Sequence, residues 1–391
     1  MNIKDYGWDE HFEREWNERC KEGMSPARII ADYGQMLRVA ADSGELLVNR
    51  PVQKLDNELQ IAVGDWVALG WSQTESAARP CNLGWSQTES AARPCNLGYS
   101  AGTEAACIRF VLTRKTKFSR AAAGIEIKEQ IVAANIDTVF IIQSLNRDFN
   151  MRRLERYLIA AWESGAIPVV VLTKADCCDD VADKMAIVYS TAPGVEIHAI
   201  SCVTGEGIEE IRKYFVRGKT IALLGSSGVG KSTLANTLAG EELLKTQAIR
   251  EDDSRGRHTT TRRELVLLPG GGLILDTPGM RSLSLWEADA GMEVMFGDVE
   301  ELTKLCRFHD CKHRNEPGCA VREALDTGKL EMKRWDSWLK LQKELAHLEA
   351  KKEGKLRLQE KQWGWSQAKP AARPCSRGKQ IAKFQRELRK N

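Results

Sequence analysis

Residues 219–239 read KTIALLGSSGVGKSTLANTLA, an apolar run, a glycine-rich turn and a stretch of helix formers in immediate succession. No other stretch constrains the fold as tightly. Gly225-Ser226-Ser227-Gly228-Val229-Gly230-Lys231-Ser232 fits the phosphate loop that joins a buried parallel strand to the helix behind it. Glycines let the backbone curl until its N–H groups face a phosphate, and the helix adds the positive end of its dipole. Lys231 would supply charge to the β- and γ-phosphates, and the Ser232 hydroxyl, followed by Thr233, is placed to ligate Mg²⁺.

The surroundings agree with this reading. From residue 136 onward the segments IDTVFIIQSL, MRRLERYLIAAWESG, IPVVVLTKAD, VEIHAIS and KTIALLG alternate strand with helix, and the strands are continuous apolar runs. That pattern predicts a parallel α/β layer covered on both faces. Asp276-Thr277-Pro278-Gly279 closes the run GGLILD, so the Asp276 carboxylate reaches the Mg²⁺ shell and the Gly279 N–H approaches a γ-phosphate. Between the two motifs, RGRHTTTRRE carries Thr259, Thr260 and Thr261, placed as a switch loop that closes over Mg²⁺. Thr173-Lys174-Ala175-Asp176 ends another strand; there the Asp176 carboxylate accepts N1–H and N2–H₂ of guanine while the Lys174 stem lies along the purine. Adenine offers no such donor pair, which disfavours an ATPase. Ser201-Cys202-Val203-Thr204-Gly205 is either a loop contacting guanine O6 or an ordinary helix cap.

Ahead of this layer, residues 34–69 and 106–117 hold short alternating segments that read as strands of a small barrel. Arg114, Lys115, Lys117 and Arg120 at its end suit a phosphate-facing edge or a solvated strand terminus equally. GWSQTESAARPCNL occupies 70–83 and recurs unchanged at 84–97, and a third copy at 364–377 keeps nine of the fourteen positions. Units this short and scattered cannot build a solenoid, so they read as loop insertions.

The order of the motifs is unusual. TKAD precedes GSSGVGKS, with the threonine segment and DTPG after it, whereas ordinary GTPases place the base motif last. The domain therefore reads as circularly permuted, which a site built from loops on one sheet edge tolerates. With VGDWVAL, FSRAAAG, EQIVAANIDTVFII, FNMRRLERYL, GRHTTTRRE and DTPGMRS, the chain resembles the bacterial small-subunit ribosome-biogenesis GTPase family over most of 34–360. The resemblance implies an N-terminal OB-fold barrel, a permuted GTPase domain, a C-terminal zinc-binding helical module, hydrolysis stimulated by the small ribosomal subunit, and a monomer. Two positions depart from common GTPase patterns. Thr173 replaces the usual Asn and alters one hydrogen bond bracing the base loop; Met280 stands where Ras-like enzymes carry the glutamine that orients water. Slow intrinsic hydrolysis is expected. His258 is the nearest polar candidate for aligning water, against a switch residue with no chemical role.

Cys306, Cys311, His313 and Cys319 are spaced C-x4-C-x-H-x5-C, and three thiolates with one imidazole suit a closed tetrahedral Zn²⁺ site. Such a site is structural, since no coordination position remains open. Eleven cysteines without an export signal disfavour a disulfide framework, and the longest apolar runs fall far short of a membrane span. Cytoplasmic residence is expected. The net charge of +3 conceals a basic tail: residues 329–391 hold 18 Lys/Arg against 7 Asp/Glu, favouring a nucleic-acid partner.

The expected organisation is a lead segment (1–33), the barrel (34–119, with the tandem repeat at 70–97), the permuted GTPase domain (120–284), and the zinc module with basic tail (285–391). The expected function is GTP hydrolysis that times late maturation of the small ribosomal subunit through contacts with its rRNA. The alternative is a nucleotide-sensing RNA-binding scaffold with negligible turnover.

Overall fold

In a computed structural model of the protein, the described residues are 1–20, 22–51, 60–72, 105–121, 129–146, 148–242, 263–276 and 288–367. The chain forms two compact units, Met1–Ala122 with Lys128–Leu339, and Ala123–Ile127 with Lys340–Asn391.

In the first unit, α1 (Glu10–Arg19) precedes β1 (Ser25–Asp32), β2 (Met36–Ala41), β3 (Gly44–Asn49), β4 (Trp66–Ser72) and β5 (Ala105–Val111). These strands make an antiparallel sheet in the order β3-β2-β1-β4-β5. The sheet starts at Ser25, ahead of the residue-34 boundary expected from sequence. Ala27–Ala31 of β1 are all buried, so the strand lacks the polar alternation that marks one with a wet face. β4 runs through Gly70, Trp71 and Ser72, the first three residues of the tandem repeat, which pair with Cys107, Ala106 and Ala105. The other repeat residues of that tract lie outside the described residues. β6 (Lys117–Ala121) pairs with β7 (Glu129–Ala134) in a separate ladder.

The basic edge expected on the barrel is otherwise engaged. Arg114 binds the fully buried Asp65 carboxylate at 2.6 Å, Lys117 lies 2.8 Å from Glu129, Lys115 pairs with Asp9, and Arg120 Nε donates to Gln130 at 3.0 Å. Each of these four cations has an intramolecular partner.

The α/β layer then follows as β8 (Thr138–Ser144), α2 (Met151–Glu163), β9 (Ile167–Thr173), α3 (Val181–Thr191), β10 (Glu196–Ala199), α4 (Ile208–Arg212), β11 (Thr220–Leu224), α5 (Lys231–Ala239), β12 (Glu264–Leu267) and β13 (Leu273–Asp276). Its order is β10-β9-β8-β11-β13-β12, parallel except that β12 runs against β13. A single pairing, Ala31 with Glu264, joins β12 to β1. Phe140, Ile142, Val171, Ile221 and Leu223 on one sheet face pack with Ile208, Ile211, Leu234 and Leu238 from the covering helices. Each such side chain contributes about 1.5–3 kcal/mol on burial, which makes the sheet a stiff base for the loops at its rim.

Arg28 ties the two sheets at the opposite rim. It is 1% exposed, and its guanidinium donates to Gly64 O at 3.2 Å, to Asn135 O at 2.8 Å and to Tyr6 O. Burial pushes its pKa down to about 10, so it remains charged at neutral pH. The chain continues through α6 (Asp289–Lys304), α7 (Ala320–Asp326) and α8 (Met332–Gln367). Among the described residues, no helix is long and apolar enough to cross a membrane.

Candidate nucleotide and metal sites

Because β8, β9, β10, β11 and β13 are parallel, the loops leaving their C-terminal ends share one rim of the sheet. The phosphate loop follows β11. A Cβ at Gly225 would lie 2.5 Å from Ile142 O, so only glycine lets the loop pass this close to β8. Gly230 begins α5 at φ +99°, a left-handed conformation that glycine adopts without strain. Lys231 Nζ donates to Gly225 O at 2.9 Å and Ser226 O at 2.6 Å, folding its ammonium into the loop. Ser232 and Thr233 occupy the first turn of α5. Asp276 is the last residue of β13 and stands in register with Leu223, beside the strand that feeds the phosphate loop.

The Thr173–Asp176 segment leaves β9 and leans on this loop. Thr173 is 2% exposed, and its Oγ1 donates to Val229 O at 2.6 Å. The brace expected to be altered by Thr173 is thus made by the threonine hydroxyl itself. Lys174, at φ +61°, reaches across to donate its Nζ to Gly228 O at 2.9 Å. Ala175 N donates to Ile200 O at 3.1 Å, joining this segment to the loop after β10. Ser201 is buried; its Oγ donates to Asp176 Oδ1 at 2.6 Å and accepts the N–H groups of Val203 and Thr204 at 3.2 and 3.1 Å. The Ser201 hydroxyl, and after it the Cys177 thiol, hold the Asp176 carboxyl below the usual carboxylate range. Asp176 is therefore an ionised, exposed, oriented acceptor. Ser201 acts as a loop cap and as the carboxylate's brace.

In the C-terminal part of the first unit, the ligand atoms of Cys306, Cys311, His313 and Cys319 all lie within 4.8 Å of one another. Cys306 Sγ is 3.9 Å from Cys319 Sγ, and His313 Nδ1 is 3.4 and 3.6 Å from those sulfurs. Tetrahedral zinc, with bonds of about 2.3 Å to sulfur and 2.0–2.1 Å to nitrogen, demands edges of roughly 3.8 and 3.6 Å. The donor set fits a metal ion. Glu316 shapes the loop by accepting N–H groups from Lys312, Arg314 and Asn315 at 3.1, 2.8 and 3.1 Å. His313 sits at φ +56° with Trp335 edge-on to its ring at 5.4 Å.

Several residues expected at the site, His258, Thr259, Thr260, Thr261, Gly279 and Met280, lie outside the described residues. Sequence reasoning missed Asp148, whose carboxylate accepts the Ser226 hydroxyl, and Gln143, a buried amide that brackets the Asn150 backbone at 3.0 and 2.9 Å. Asp148 and Ser226 are 78 residues apart, so no local pattern could have paired them.

A family model described as RsgA GTPase matches residues 111–286. The chain is 50% identical over 364 residues to the small ribosomal subunit biogenesis GTPase RsgA 1 of Listeria innocua, covering 92% of this chain and 94% of that relative. It is 40% identical over 346 residues to RsgA 2 of Vibrio parahaemolyticus, covering 88% and 86%. Among solved structures, YjeQ from Thermotoga maritima shares the fold at TM-score 0.54 and 24% identity, over 83% of this chain and 99% of that one. YloQ, described as a circularly permuted GTPase, does so at TM-score 0.51 and 20% identity, over 84% and 98%. The chain belongs to the RsgA GTPase family.

Proposed function

We propose that this GTPase acts on the small ribosomal subunit, binding its rRNA late in maturation and leaving after GTP is hydrolysed. The observation that carries the reading is the convergence of the phosphate loop, the Thr173–Asp176 segment and the Ser201 loop on one rim, with an ionised Asp176 at one end and Lys231 at the other. The relatives named for small-subunit biogenesis support the choice of partner.

In this reading Gly225–Gly230 wrap the phosphates with their N–H groups, and the Lys231 ammonium exchanges its carbonyl partners for β- and γ-phosphate oxygens. Asp176 reads guanine N1–H and N2–H₂, Ser201 keeps the carboxylate turned to the base, and the Lys174 stem lies along the purine. Ser232 and Asp276 would hold Mg²⁺, which when bound neutralises charge gathering between the β- and γ-phosphates. Thr260 or Thr261 would complete that shell, with the Gly279 N–H facing the γ-phosphate and His258 aligning water. Cys306, Cys311, His313 and Cys319 would hold structural zinc that pins α7 to the end of α6. The five-stranded sheet has the strand order of an OB-fold, and that barrel, the zinc module and the basic tail would grip rRNA through phosphates and shape. We assign the chain as a cytoplasmic monomer with the barrel at 25–119, β1 included, the permuted GTPase domain at 120–284 and the zinc module with its tail at 285–391.

The test is GTP hydrolysis with and without purified small subunits. Wild type should accelerate by orders of magnitude, and Lys231→Ala should stay flat. A wild-type rate indifferent to the subunit refutes the reading.

A further inference from the structure

We propose that Asp148, backed by Arg153, is a positioning residue for the phosphate loop, so that the loop after β8 sets how tightly the nucleotide phosphates are held. The proposal rests on the nucleotide-site reading above. Ser226 Oγ donates to Asp148 Oδ2, and Arg153 Nη2 lies 2.8 Å from the same carboxylate oxygen while also donating to Asp148 O. The turn itself is fixed. Asn146 accepts from Asp148 N at 3.1 Å and from Ser144 Oγ at 2.8 Å, and Asn150 caps α2 by accepting from Arg153 N at 3.1 Å. Ser226 is thereby gripped twice, through its hydroxyl by Asp148 and through its carbonyl by the Lys231 ammonium at 2.6 Å.

Two physical consequences follow from this arrangement. A loop whose N–H groups converge on an anion site has like dipoles facing one another when empty, and a tether on its outer side keeps it from relaxing before the phosphates arrive. A carboxylate beside a site for a polyanion opposes binding, and the Arg153 guanidinium cancels that charge. The Asp148 and Arg153 side chains are 43% and 25% exposed, and ion pairs this exposed add little to folding. Their effect belongs in nucleotide affinity, not in melting temperature. It also has a sign: removing Arg153 alone leaves a bare carboxylate near the phosphates, while removing the carboxylate as well does not.

The experiment measures GDP affinity and thermal unfolding of the full chain as wild type, S226A, D148A, S226A/D148A, R153A and R153A/D148N. Loss of one tethering hydrogen bond should weaken GDP binding about fivefold in S226A, less in D148A because that variant also bares the Arg153 guanidinium, with the double variant no worse than S226A. R153A should weaken binding by a similar factor, and R153A/D148N should regain most of it, because asparagine keeps an acceptor for Ser226 without the charge. Additive losses in S226A/D148A, no rescue in R153A/D148N, or losses that track melting temperature would each overturn the proposal. Wild type that fails to bind GDP would sink the nucleotide-site reading and this proposal together; wild type that binds while every variant matches it sinks only the proposal.

Discussion

Thr173→Val isolates the contact between the phosphate loop and the Thr173–Asp176 segment. The Thr173 hydroxyl has one proton; Val229 O at 2.6 Å takes it in preference to Gln143 O at 3.3 Å. Valine has the same shape, so the substitution leaves no cavity and removes only the donor. A buried carbonyl deprived of its donor costs about 1–3 kcal/mol. If the unpaired phosphate loop relaxes to find water, that energy returns as a cost of ordering when nucleotide binds, and about 1–3 kcal/mol corresponds to roughly 5- to 150-fold in Kd. Displacement of a fluorescent GDP analogue reads the loss directly, and Thr173→Ser, which keeps the hydroxyl, should recover most of it. Unfolding without nucleotide supplies the control, since a loss confined to binding leaves the apo melting temperature nearly unchanged. T173V that binds GDP within twofold of wild type refutes the claim that this hydrogen bond pre-organises the site.

Asp176→Asn should shift preference from guanosine to xanthosine nucleotides, because the amide presents a donor where guanine also has one; competition binding with GDP and XDP checks it. The Asp176 carboxyl is held low by Ser201, so its contribution is complete above the ordinary carboxylate pKa of about 3.9 and disappears only as pH falls through the depressed value. Ser201→Ala should move the acid limb of GDP affinity to higher pH, visible in a titration from neutrality downward. Cys311→Ser should release stoichiometric metal by elemental analysis and weaken small-subunit binding, while GDP affinity stays within twofold. Arg28→Met leaves the Tyr6 and Asn135 carbonyls without a donor, while Gly64 O keeps the Asn135 side-chain amide, and should lower stability by about 2 kcal/mol or more, read by denaturant unfolding.

What could be read from sequence was local in the chain. The phosphate loop, the TKAD segment and the cysteine–histidine cluster each lie within a few to fourteen consecutive residues, so their chemistry is printed in order, and the fold brings their ligating or hydrogen-bonding atoms together. The continuous apolar strands were equally plain because both sheet faces are covered. β1 escaped for the same reason that it matters: paired with β2, β4 and β12, it is buried on both sides and carries Pro26 near its start, so neither alternation nor a clean apolar run announces it. The partners of the basic run at 114–120 were not legible, because charge alone does not reveal them. Asp65 and Glu129 lie far enough away in sequence that only folding pairs them with Arg114 and Lys117.

Permutation has a consequence beyond moving motifs. In the unpermuted order the strand ending at Asp276 would lead on to the counterpart of β8, and the chain would stay within the sheet. Here β8 is instead entered from β7 through the turn at Asn135, at the rim where Arg28 ties the two sheets, so the antiparallel β1–β5 sheet is spliced in on the side away from the phosphate loop. The exit from β13 is on the nucleotide side. From Asp276 only residues 277–287 separate the sheet from Ala288 and α6, and α6 is held against α2 by the Gly291 N–H donating to Glu163 at 3.2 Å. α6 ends two residues before Cys306. The residue beside the phosphate loop is therefore joined, by one connection and one helix, to the first cysteine of the candidate metal cluster. An unpermuted sheet would have to reach that cluster from a strand at its far edge, through a chain that never passes the γ-phosphate.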